Sequence, residues 1–228
     1  MDKYYDHLDQ VVMEITDKHE IKNLISMKNL YGNNSYWDRL ARLSFFNKLF
    51  NEHRYHFLYE IEGLSSQIHF GIANCFILRD KISTERGKPN IYNHRYTFML
   101  ESTIHGIYSY WNRVGLVLNT YLKTPKEIKR TYFANVIPQL LIDYPALQGN
   151  QDYQWIVGIK NALDDLDRNE FAHNNSLIMQ NFLPKNIENM SFDNLLSLPD
   201  ILLSHNRAIV DDIYNLVQLL EWFENSNV

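Results

Sequence analysis

Residues 168–176 read RNEFAHNNS, and in this stretch Arg168 and His173 stand five positions apart. A guanidinium is suited to grip a phosphate, and an imidazole with a pKa near 6.5 can move a proton at neutral pH. The pattern therefore poses a choice between a phosphate-handling site and an ordinary helix end. For the second reading, a histidine in the last turn of a helix interacts favourably with the C-terminal dipole, and Arg168 pairs with Asp164 or Asp165 on the exposed side.

Other groups offer weaker chemistry. His53 and His56 share helical spacing without a third ligand nearby, so no metal site is expected. The acidic run 164–167 lacks the glycine and glutamate of a calcium loop. Lys123, Lys126, Lys129 and Arg130 make a compact basic patch that could steer an RNA backbone or simply face solvent. Glu101, His105, Tyr108 and Asn112 recur at helical spacing inside an apolar segment. Such a polar seam either lines a cleft or hydrogen-bonds within a bundle. Cys75, the single cysteine, sits in an apolar run and is expected to be a buried structural thiol.

The elements that must position these groups read as helices. Eight glycines and six prolines in 228 residues leave little punctuation, and the intervening apolar pattern is helical rather than alternating. Helices are expected near residues 3–30, 35–62, 64–83, 93–122, 125–143, 150–173 and 192–224. Thr124, Pro125 and Glu127 suggest a capped start for the fifth of these, and Gly87 with Pro89 marks a loop. Trp155, Ile156, Ile159, Ala162, Leu163 and Leu166 form one apolar stripe on the sixth. Continued as a helix, that segment would splay Arg168 and His173 by about 140°. Convergence on one ligand then requires a helix end between them or a second subunit, and Asn174, Asn175 and Ser176 suit a helix end. The expectation is an all-α bundle of about six to seven helices in one domain over 1–228, with the helices of about 1–62 as an added layer.

Composition narrows the classes. A formal charge of −5 is not the footprint of a protein that coats nucleic acid. No stretch approaches the roughly 18 apolar residues of a membrane span, and the first ten residues lack the apolar run of a signal peptide. A cytoplasmic protein without a membrane partner is the expectation. There is no Gly-rich phosphate loop, no Gly-x-Ser-x-Gly and no His-Glu-x-x-His.

Arg168, the polar Asn169 and His173, spaced as Arg, four residues, His, resemble the Arg-polar-x-His motif of the HEPN superfamily. The setting is similar too: a helical chain, the motif at the end of a long amphipathic helix, and a final helical stretch, DNLLSLPDILLSHNRAIVDDIYNLVQLLEWF, after it. The resemblance implies a HEPN-like bundle that forms a homodimer, with two motifs facing one cleft. In active members that cleft is a metal-independent endoribonuclease needing no cofactor and leaving 2′,3′-cyclic phosphate ends. His173 would then exchange the proton of a ribose 2′-hydroxyl and Arg168 would hold the scissile phosphate. Asn169 would orient His173 or bond the phosphate, Glu170 and Asn174 would line the cleft, and the 101–112 seam would stand beside them. Two alternatives stay open. One is a non-catalytic HEPN-like module that binds RNA, a nucleotide or a protein; the other is a helical interaction protein with no nucleic-acid role.

Overall fold

The computed structural model describes residues 2–28, 32–44, 56–85, 87–166, 176–182 and 192–226. These residues form helices and connecting turns, with no strand among them. The all-α expectation holds. Ten α-helices are described, not six to seven, because several of the expected long helices are divided.

The centre is a hairpin of two long helices, α4 (His56–Arg79) and α5 (Ile91–Asn119). A break was expected at Gly63. The helix runs through it, because Leu58, Ile61, Glu62, Ser65 and Ile68 continue one buried face on either side. The turn before α5 contains Gly87 at φ 71. Asn90 then caps α5 by accepting from the Tyr92 and Asn93 amides, while Asn93 returns a bond to the Asn90 amide. The two helices approach closely at Gly71, where an added Cβ would collide with the Thr103 hydroxyl.

The remaining helices clad this hairpin. Helix α1 (Asp2–His19) packs on α4 and ends earlier than expected. The Ile21 amide bonds the Thr16 carbonyl at 3.0 Å and the Glu20 amide bonds Asp17 at 3.3 Å, which closes a Schellman turn with Glu20 left-handed at φ 53. Two short helices follow, α2 (Leu24–Met27) and α3 (Tyr36–Ala41). They are fastened to α4 from below: the Tyr36 hydroxyl lies 2.8 Å from Glu62 Oε1, and the Leu24 amide donates to Ser65 Oγ at 2.9 Å. Lys28 Nζ stands 3.5 Å from Glu62 Oε2 and 3.3 Å from the centroid of the Trp37 ring. Burial keeps the Tyr36 phenol protonated far above its usual range, and the Glu62 hydrogen bond adds to this.

After α5 the chain departs most from expectation. A helix starting at Thr124 is absent, since the Asn119 side chain takes both main-chain groups of Lys126, amide and carbonyl, at 3.0 Å each. Those groups are thereby withdrawn from helix formation. A single 3₁₀ turn, Ile128–Arg130, precedes α6 (Phe133–Asp143). Helix α7 (Gln151–Asp164) follows; of the six residues of the expected stripe, Trp155 and Ala162 are half-buried, and Ile156, Ile159, Leu163 and Leu166 are buried. Each such side chain contributes roughly 1.5–3 kcal/mol. Helix α8 (Leu177–Phe182) rests on α5. The expected final helix is two, α9 (Phe192–Val210) and α10 (Ile213–Asn225). The amides of Asp211 and Asp212 both bond the Arg207 carbonyl, which closes α9.

Candidate functional site

The polar seam on α5 has a physical explanation that its sequence spacing alone does not reveal. Every helix leaves unpaired amides at its start and unpaired carbonyls at its end. Three seam residues satisfy such groups on three different segments. Glu101 Oε1 accepts the amide of Leu177, the first residue of α8, at 2.6 Å. The Tyr108 hydroxyl donates to the Leu163 carbonyl in the last turn of α7. Asn112 Oδ1 accepts the amide of Phe133, the first residue of α6, at 3.1 Å. A carboxylate at a helix start is also favoured by the local dipole.

These positions follow one face of α5, so the three helix ends are gathered in a row. The Leu177 and Leu163 anchors lie about 10 Å apart along the axis, and Phe133 is about 6 Å further on. His105, between Glu101 and Tyr108, is exposed. Of the two readings of the seam, hydrogen bonding within the bundle accounts for Glu101, Tyr108 and Asn112.

Arg168, Asn169, Glu170, His173 and Asn174 lie outside the described residues, as does the expected continuation of α7 to 173. The chain is described as far as Leu166 and again from Ser176. Both flanks of the motif are therefore fastened to α5, by Tyr108 before it and Glu101 after it. Asp164, one of the two partners expected for Arg168, already pairs with Lys160 at 2.7 Å.

The other candidates are spread apart. His53 lies outside the described residues, and among the described residues no group of three or more His, Cys, Asp or Glu could hold a metal ion. Cys75 is buried, and burial pushes its thiol up to about 12, so it is no nucleophile at neutral pH. No helix among the described residues is long and apolar enough to cross a membrane. The basic patch stands on the turn after α5, where Arg130 pairs loosely with Glu127 at 3.7 Å.

Two features escaped the sequence reading. The Tyr36, Glu62 and Lys28 contact joins residues far apart in the chain, and no local pattern signals it. An open groove of about 490 Å³ runs between the end of α1 and α9, with Lys18, His19, Asp200 and Arg207 among its walls. His19 stacks there on Phe76 at 3.8 Å, and Arg79 binds Asp200 at 2.9 Å. Basic and acidic side chains both line this groove, and none of the expected site residues does.

No protein-family model, curated protein or solved structure matches the chain.

Proposed function

We propose that this chain is a HEPN-like, metal-independent endoribonuclease that works as a homodimer, with Arg168 and His173 as the catalytic pair. The observation that supports this reading most is the double anchorage on α5. The segment carrying Arg168 and His173 leaves α7 at a carbonyl held by Tyr108 and enters α8 at an amide held by Glu101. An active centre must be held by rigid elements, and two fixed flanks on α5, the longest described helix, are in keeping with that requirement. His105 is exposed between the anchors.

In this reading His173 takes the proton from a ribose 2′-hydroxyl, and the freed oxygen attacks the adjacent phosphorus. The 5′-oxygen of the next nucleotide leaves, accepts a proton, and a 2′,3′-cyclic phosphate remains. Arg168 offsets the charge that grows on the phosphate oxygens. The partner copy covers the outer face of α5, where Phe98 is 65% exposed close to the seam.

The test is cleavage of a mixed-sequence RNA in EDTA by the wild type, His173→Ala and Phe98→Asp. Cyclic-phosphate ends from the wild type alone are expected, with Phe98→Asp monomeric and inactive. Equal cleavage by wild type and His173→Ala would refute the catalytic assignment. The formal charge of −5 favours, as the second reading, a module that holds RNA or a nucleotide without cutting. That reading predicts salt-dependent RNA binding lost in Arg168→Ala, with no cleavage by any form.

A further inference from the structure

The turn between α5 and α6 and the outer side of α6 combine three properties: protruding aliphatic side chains, a local excess of cations, and a backbone fixed in advance. Among the described residues, Ile142 and Ile128 are the two most exposed large hydrophobic side chains, at 71% and 68%. Ile128 lies within the sequence KEIKR, between Lys126 and Lys129. Ile142 is near Lys123, because the Lys123 amide bonds Asp143 Oδ2 at 2.9 Å. Four cations, Lys123, Lys126, Lys129 and Arg130, face two acids, Glu127 and Asp143. The region is thus locally positive in a chain whose formal charge is −5.

The backbone here is held by two asparagines. Asn119 brackets Lys126 as described above. Asn135 donates to the Arg130 carbonyl at 2.8 Å and accepts the Tyr132 amide at 3.1 Å. A surface turn clamped at both ends loses little freedom when it docks. Helix α6 adds Ala134 and Pro138 to its exposed side and carries no charge before Asp143.

We infer that residues 123–132 and the outer face of α6 dock on an anionic lipid surface, with Ile128 and Ile142 entering the headgroup boundary. Cations beside protruding aliphatic side chains match that boundary, where charge meets hydrocarbon. A polynucleotide would satisfy the cations and leave both isoleucines in water. A peptide is better held by a concave apolar wall than by side chains this far out of the surface. Surface docking requires no spanning helix, and it is independent of the Arg168 and His173 reading.

The test is sedimentation of the full chain with vesicles of phosphatidylcholine alone and of phosphatidylcholine mixed with phosphatidylserine, at low and high salt. Binding to the anionic vesicles only, lost at high salt, is expected. At low salt, Lys126→Gln with Lys129→Gln should lower the partition coefficient by about 30-fold, and Ile128→Ser should lower it as well. Arg168→Ala should leave it unchanged. Ile128 and Lys129 are exposed and Lys126 is half-buried, and an unchanged far-UV circular dichroism spectrum verifies folding. Equal sedimentation with both vesicle types, or binding indifferent to these substitutions, overturns the inference. So does retention of single-stranded RNA through the same residues without vesicle binding, which would make this a nucleic-acid surface.

Discussion

Gly115 on α5 lies so close to Phe133 at the start of α6 that a Cβ on the glycine would stand 2.8 Å from the Phe133 Cα and 2.9 Å from its nitrogen. That approach lets the Phe133 amide reach Asn112, one turn back on the same helix. It also brings the Phe133 ring to 5.2 Å from the buried Trp111.

Gly115→Ala therefore has to push a main chain aside, and backbone gives way less readily than a flexible side chain. A loss of about 1–3 kcal/mol is expected, measured by urea denaturation. Gly63, in mid-helix on α4 with nothing within 4 Å of its added Cβ, is the control. Gly63→Ala should stabilise by up to about 1 kcal/mol through helix propensity.

His205 on α9 is 5% exposed, and burial holds its imidazole down to about 4 against an ordinary 6.5. The folded state thus resists taking a proton that the unfolded state accepts. The contribution is complete above pH 6.5 and is lost as pH falls toward 4. A fall of about 3 kcal/mol over that interval is expected from this residue. His19 and His69 are also lowered, chiefly by burial, and act in the same direction. His205→Gln should flatten the pH dependence between those limits, as read by denaturation at pH 7 and pH 4.5.

The anchors on α5 can be released singly. Tyr108→Phe removes the bond to the Leu163 carbonyl and should cost about 1 kcal/mol. Glu101→Ala leaves the Leu177 amide without its acceptor, and faster hydrogen exchange at that amide is the direct readout. If the segment between them is the active centre, both substitutions reduce RNA cleavage while the dimer persists. Cleavage unchanged in both would detach the anchors from the activity.

What the sequence made legible was what local periodicity encodes. The apolar stripe of α7 and the loop at Gly87 and Pro89 were readable because each depends on residues within a few turns. The polar seam was readable as a pattern, but not its purpose. Its partners, Leu163, Leu177 and Phe133, lie 55, 76 and 21 positions away. The cap expected at Thr124 failed for the same reason, since Asn119 competed for the main chain of Lys126 from the preceding helix. Glu20 was opaque in another way: a left-handed helix end usually takes glycine, and here the tertiary fold imposes it on glutamate.

The α4 and α5 hairpin is closed by the connection 80–90, whereas the Arg39 and Glu221 pair spans 182 positions and the Lys22 and Asp211 pair 189. Contacts within the hairpin close small loops and can form early in folding; the two ion pairs close nearly the largest loops this chain allows. During synthesis the hairpin can assemble while α10 has yet to be made, and Arg39 waits for its carboxylate until that helix is released. The seal between the first helices and the last is thus expected to close late in folding, and a chain cut short before α10 leaves uncovered the side of α3 that packs on it.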